Sequence, residues 1–227
     1  MSLRKTAAAF GLLVWATLAV SVEPGKADKA AGTDPVVVNF EEEAPGQPPS
    51  GFSTALTGKG PAGVWVIEAT DGAPSGKKVL AQTSDDPTGS RYPLCLYDGV
   101  TAKDVDVAVR FRPMEGKKDQ AAGIVFRCKD KDNYYVARAN AREDNVRVYR
   151  IENGKRSNLA NADVKVASKR WQTLRLVIIG NQIEVRLDDK VVLELEDGTF
   201  GEAGKVGVWT KADSQTQFDD LTIKSLD

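Results

Sequence analysis

The chain has 227 residues, with 31 lysines and arginines against 32 aspartates and glutamates and no histidine. That charge balance argues against nucleic acid as a general partner, because phosphate binding wants a basic surplus. The missing histidine excludes imidazole-based triads, histidine-ligated zinc and any imidazole acid or base.

Residues 1–21 read as an export signal. Arg4 and Lys5 form a positive leader, and residues 7–20 are an apolar run short for a membrane span. Small residues at Ala19, Val20 and Ser21 suit cleavage, and Gly25-Lys26-Ala27 offers a later site. Residues 22–34 read as a flexible polar linker. No later stretch is apolar enough to span a membrane. The expected location is therefore periplasmic or secreted. In that oxidising setting Cys95 and Cys128 are either a disulfide or two buried thiols on separate strands.

From residue 35 onward the grammar is short strands and tight turns. Residues 36–40 open it, followed by Glu41-Glu42-Glu43 and a Pro/Gly loop over 44–51. Residues 64–68, 78–82 and 94–97 follow as strands, the first carrying Trp65. In 105–112, Val105, Val107, Val109 and Phe111 alternate with polar partners, the period of a half-buried strand. A meander comes next. Over 123–128, Ile124, Phe126 and Cys128 alternate with Val125 and Arg127. Over 134–140, Tyr134, Val136, Arg138 and Asn140 share one face. Residues 146–151 end at Asn153-Gly154, a hairpin signal because both residues accept positive φ. Residues 171–179 and 183–187 are joined at Gly180-Asn181, and 191–195, 205–211 and 218–224 complete the chain. About a dozen short strands without a convincing helix predict an all-β, two-sheet antiparallel sandwich, one domain over 35–227. Trp65 and Trp171 are expected in its core.

The runs PSGKKVLAQTSDDPTG, AAGIVFRCKDKDNYYVARANAREDNVRVYRIENGKR and GKVGVWTKADSQTQFDDLTI carry a resemblance. This chain resembles a family of exported bacterial proteins with a laminin-G-like, concanavalin A-like jelly roll. That family is related to 3-keto-disaccharide hydrolase-type domains and, more distantly, to lectins and glucanases. The resemblance runs from about residue 36 to the end and implies a jelly roll. It leaves the activity open, because this fold hosts lectins, hydrolases, lyases and structural modules. Glycosidases of the fold place two carboxylates in a Glu-x-Asp-x-x-Glu strand. That pattern is absent here, and Glu194 and Glu196 read as a solvated strand face.

Strand parity gathers a candidate binding face: Arg127, Tyr134, Arg138, Asn140, Arg147, Trp209 and Lys211, with Asn145 and Tyr149 beside them. The resemblance implies that this face is concave. Aromatic rings stack on a sugar, while Arg, Asn and Lys orient hydroxyls or a carboxylate. The surplus of cations points to an anionic glycan. The competing explanation is internal: the arginines pair with Glu143, Asp144, Asp213 and Glu184, and the aromatics fill core. The resemblance also implies a structural calcium between the first and last strands, held by Glu41, Asp219 and Asp220. Three functions follow as expectations. The first is non-catalytic glycan recognition. The second is a glycoside hydrolase or lyase using Glu143 or Asp213. The third is a structural or adhesion module of the envelope.

Overall fold

The computed structural model describes residues 34–227. The expected export signal, and the linker up to residue 33, lie outside the described residues. Among the described residues there is no helix long and apolar enough to cross a membrane.

Fifteen strands are formed among the described residues. In chain order they are β1 Val36–Val38, β2 Phe52–Gly58, β3 Trp65–Ala69, β4 Lys78–Gln82 and β5 Arg91–Ala102. Then come β6 Val105–Glu115, β7 Ala121–Asp130, β8 Asn133–Asn140, β9 Asn145–Glu152 and β10 Lys155–Asp163. The last are β11 Gln172–Ile179, β12 Gln182–Leu187, β13 Lys190–Glu196, β14 Gly204–Trp209 and β15 Gln215–Ser225. One sheet runs β13-β12-β11-β6-β15-β4-β3, with β1 added on β15. The other runs β10-β9-β8-β7-β14-β5-β2. All pairings are antiparallel. This is the expected two-sheet jelly roll.

The core lies between the sheets and follows the alternation. Val105, Val107, Val109 and Phe111 of β6 face Ile124 and Phe126 of β7 and Tyr135, Ala137 and Ala139 of β8. Trp65 joins them, its ring 6.0 Å from that of Phe218. Trp171 does not. It is half-buried on the outer face, where Arg112 lies over its ring at 4.7 Å. Asn153 and Gly154 both take positive φ, as the hairpin reading requires. The hairpin then continues into β10, a strand with no clear apolar alternation. β2 has the same character. Both are edges of the second sheet, where one flank meets water and patterning weakens.

The main departure from parity is at Arg127. β7 carries an extra residue against β14: Lys205 pairs with Cys128, but Gly207 pairs with Val125. Arg127 sits in this bulge at φ 46°. The bulge turns Arg127 inward and Cys128 outward. Gly204 of β14 presses on it so closely that a Cβ there would come within 2.4 Å of the Arg127 carbonyl carbon. The buried guanidinium donates to the carbonyls of Lys103, Phe200 and Gly180 and to Asp104 at 3.1 Å. Arg127 is therefore a clamp and does not belong to the candidate face.

The bulge also separates the cysteines. Cys95 lies in the inter-sheet core, Cys128 in an apolar cluster on the far side of the second sheet. Both are free, buried thiols, and burial pushes the Cys128 thiol up to about 12. The disulfide alternative is thus corrected in favour of two thiols.

Replacing Arg127 by Met would take a donor from Asp104 and from the carbonyls of Lys103, Gly180 and Phe200. Urea unfolding should show a loss of about 1–3 kcal/mol or more, the cost of leaving partly buried acceptors without their donor. A loss below about 1 kcal/mol would mean that the clamp is not structural.

Candidate functional site

The outer face of the second sheet can be read directly from its register. One row crosses it as Ala55, Leu94, Trp209, Gly123, Arg138, Arg147 and Asn161. The row on one side runs Leu96, Gly207, Val125, Val136, Tyr149, Asn158. On the other side lie Ala121, Asn140, Asn145 and Asp163. The face is apolar at its β5–β14 end and polar at its β8–β10 end.

This face is concave. Thr57 on β2 and Tyr134 on β8 are separated by three strands. In a flat sheet their backbones would stand about 19 Å apart. Their hydroxyls nevertheless meet at 2.8 Å. Only a sheet that curls toward its free face brings them together.

The apolar end is filled by its own side chains. Trp209 is fully buried, stacked on Tyr92 with ring centres 5.6 Å apart. Its indole N–H donates to the Tyr134 oxygen at 3.3 Å. The Thr57 hydroxyl also donates to the Lys131 carbonyl. Burial pushes the Tyr134 phenol well above its usual range, so it stays protonated. Gly123 makes room: a Cβ there would lie 2.9 Å from Val136 and 3.3 Å from the Trp209 ring. Trp209 and Tyr134 are on the predicted face, but as its floor.

The polar end differs. Arg138 is 2% exposed, and its Nη2 donates to Glu143 Oε2 at 3.1 Å and to the Tyr149 oxygen at 3.0 Å. Its Nε and Nη1 are buried without a partner, as is Oδ1 of Asn145. Arg147 donates to Asn161 Oδ1 at 2.7 Å and to the Tyr149 oxygen at 3.4 Å, and lies 3.8 Å from Glu143. Asn145 donates to Glu143 at 3.2 Å. Arg156, from β10, lies over the Tyr149 ring at 4.5 Å. Burial raises the Glu143 carboxyl, but the Arg138 charge and the hydrogen bonds from Asn145 and Arg138 outweigh it and hold it low. Burial also raises the Tyr149 phenol; Arg138, Arg147 and Arg156 together bring it below its usual value.

Asn140 and Lys211 are spent on each other's neighbour. Asn140 donates to Asp119 Oδ1 and Lys211 Nζ binds Asp119 Oδ2, both at 2.8 Å. Asp213 accepts the backbone N–H groups of Lys117, Lys118 and Asp119. Burial raises it, but those amides outweigh burial and hold it ionised. It fixes a loop and is no proton donor. Parity thus places Tyr134, Arg138, Asn140 and Arg147 together and misplaces Arg127. It misses Tyr92 and Arg156, because strand β5 begins earlier than its apolar run and β10 lacks one. Carrying the Asn153-Gly154 hairpin on by two residues pairs Arg156 with Ile151, which puts it on the face.

Two of the residues expected to hold calcium, Glu41 and Asp219, bind backbone amides. Glu41 Oε1 accepts the N–H groups of Lys77 and Lys78, at 3.0 and 2.7 Å. Asp219 gives one oxygen to Ser75 N–H and the other to Asp220 N–H. Among the described residues no three His, Cys, Asp or Glu side chains converge on a metal-sized centre. A calcium shell wants six to eight oxygens, and Glu41 Oε1 and both Asp219 oxygens are already taken by amides.

The fold and this face define a two-sheet jelly roll with a curled, half-filled sheet. The family model for the 3-keto-alpha-glucoside-1,2-lyase-like domain matches residues 45–224, and the chain belongs to that family. It is 30% identical over 114 residues to levanase of Bacillus subtilis (strain 168), an alignment over 49% of this chain and 16% of levanase. The chain therefore spans about one sixth of that relative's length. Its structure is similar to the carbohydrate binding module CBM66 from Bacillus subtilis, with TM-score 0.62 and 22% identity. That match covers 77% of this chain and 96% of the module. It is also similar to the cellulose induced protein Cip1, with TM-score 0.59 and 15% identity, covering 83% and 96%. At these identities the two structures speak to the fold alone.

Asp219 yields a pH prediction. Burial, then the nearby Asp220 and Glu41 charges, push its carboxyl up to about 7 against the opposing amide bonds. The folded state therefore binds this proton more tightly than the unfolded chain. The contribution is complete below about pH 4 and is lost as pH rises through 7. Stability should fall between pH 4 and 8 by on the order of 2–4 kcal/mol relative to Asp219→Asn. Urea midpoints of both proteins across that range check it; parallel curves would exclude it.

Proposed function

We propose that this chain is an exported carbohydrate-recognition domain that holds a glycan at the polar end of its concave face. The observation that carries the reading is Arg138. A buried guanidinium with two unspent nitrogens, Nε and Nη1, costs about 1–3 kcal/mol or more unless something accepts their hydrogens. Asn145 beside it has an unspent acceptor. A ligand offering both hydroxyl donors and acceptors completes both. A sugar does so, and the neighbouring Arg147 and Glu143, each about one-third exposed, supply a reachable rim. The family match and the likeness to a carbohydrate binding module support this reading.

The charge count favours an acidic sugar. Around the Tyr149 oxygen, Arg138 and Arg147 stand against Glu143, which leaves one positive charge. A single carboxylate on the ligand would balance it.

A second reading, a lyase, draws on the family match and on Tyr149. A phenol pulled down by three guanidiniums is a base nearer its working range than an ordinary tyrosine. One experiment separates the readings: a glycan array on the chain, scored both for binding and for released product. Binding without turnover, weighted to acidic sugars and insensitive to EDTA, is the expected result. Turnover would put the lyase first. Silence on every glycan would leave the arginine network as internal scaffolding. Arg147→Ala should melt like the parent and bind the best array glycan at least about tenfold more weakly, as loss of a charged contact does. Unchanged affinity would remove this end of the face from the site.

A further inference from the structure

Arg156 is held differently from the other arginines of the face. Its guanidinium carbon lies 4.5 Å from the centre of the Tyr149 ring and 5.0 Å from that of Tyr92. Tyr92 is on β5 and Arg156 on β10, with four strands between them. The side chain therefore reaches across the hollow of the curled sheet. Arg127 and Arg138 are fixed by oxygens. Among the described residues the Arg156 side chain has no hydrogen bond or ion pair, and the residue is exposed, on an edge strand. Two aromatic rings alone set its position.

Those rings are otherwise poised for something else. Tyr92 and Tyr149 are only 8% and 4% exposed, and Arg156 is part of what covers them. Tyr92 is backed by Trp209, so it is a rigid platform. Tyr149 is backed by Arg138, whose Nε and Nη1 are unspent. A flat cation and the apolar face of a sugar ring seek the same surface, the face of an aromatic ring. The space under Arg156 thus has aromatic sides and hydrogen-bond donors at one end.

Resting on the glycan reading above, we infer that the gap between Tyr92 and Tyr149 is the seat of the sugar ring, and that Arg156 is a displaceable plug over it. In the free chain the plug keeps the two rings dry. When a sugar enters, the guanidinium swings out to solvent on its four-bond stem, and the ring takes its place. The binding free energy then includes the loss of two cation–π contacts.

Two measurements on Arg156→Ala test this. The first needs no ligand: hydroxyl-radical footprinting read by peptide mass spectrometry. Tyr92 and Tyr149 should oxidise several-fold faster than in the parent, with buried Tyr134 and Tyr135 unchanged as internal references. The second is an NMR titration with methyl glycosides covering pyranoside, furanoside and uronide rings. The best-bound glycoside should bind the variant about three- to thirtyfold more tightly, the range that loss of two modest cation–π contacts allows. Equal oxidation of Tyr92 and Tyr149 would overturn the plug. Faster oxidation with weaker glycoside binding would make Arg156 a ligand contact and also overturn it. Faster oxidation with no glycoside bound by either protein would remove the sugar seat. The glycan reading would then stand or fall separately, on the array and Arg147→Ala. If Arg156→Ala unfolds, Arg156→Leu keeps the strand stem and takes its place in both arms.

Discussion

The Arg127 clamp is the constraint on which the rest depends. Its guanidinium belongs to a central strand of one sheet, yet its partners lie on three connections around the other. Lys103 and Asp104 join β5 to β6, Gly180 turns β11 into β12, and Phe200 leads from β13 to β14. One side chain thus ties the sheets together at one end of the sandwich. The left-handed backbone that aims it there also sends Cys128 to the far face. A bulge bends its strand and increases the local twist. Here the bend lies in the middle of the sheet that curls. The hollow that brings Thr57 to Tyr134 and Arg156 to Tyr92 is built on that bent strand.

A curled sheet has more inward-facing side chains than its hollow can leave wet. The chain resolves this by dividing the face. At one end Trp209, Tyr134 and Thr57 satisfy one another's polar atoms and Tyr92 stacks on Trp209, so burial costs little. At the other end satisfaction is incomplete. Glu143 accepts from Arg138 and Asn145, Tyr149 accepts from two arginines, and Arg138 and Asn145 still have atoms in hand. Structural networks close on themselves, as the Asp119, Asn140 and Lys211 group does. A network left open at one point, beside half-exposed partners, is the arrangement expected where a ligand supplies the remainder.

How much of this was legible follows the same physics. Strands with one buried flank advertise it by alternation, and the elements from β6 through β9 and from β11 to β15 could be read from that pattern. β2 and β10 could not, because edge strands need no such pattern, and Arg156 was lost with β10. The faces of β8 and β9 came out as parity requires, which is why Arg138, Asn140 and Arg147 were found together. Arg127 was misplaced because a single inserted residue inverts parity beyond it. Nothing in Phe126-Arg127-Cys128 announces the inversion; the cause lies across the sheet at Gly204. Trp209 was correctly assigned to the face but not to its floor. Burial of an outer-face side chain depends on curvature, which period two does not encode.

Membership of a lyase-like family does not by itself give the face a reaction. Hydrolysis by paired carboxylates asks for one acid that is protonated at working pH. Glu143 and Asp213 are both held low, the one by guanidiniums and the other by amides. The carboxyl pushed up to about 7, that of Asp219, stands opposite Arg110 in the register of the other sheet and accepts from the loop at Ser75. It is on the wrong side of the sandwich to reach a ligand in the hollow. What the hollow concentrates instead is positive charge around one phenol. That environment stabilises an anion whether the anion arrives on the ligand or forms during a reaction. An acidic sugar is the first case, and an oxyanion generated on a bound sugar is the second. Recognition and elimination therefore ask the same electrostatics of Arg138 and Arg147. They part only at Tyr149, which in recognition remains an acceptor for two arginines and in elimination must also exchange a proton with the ligand.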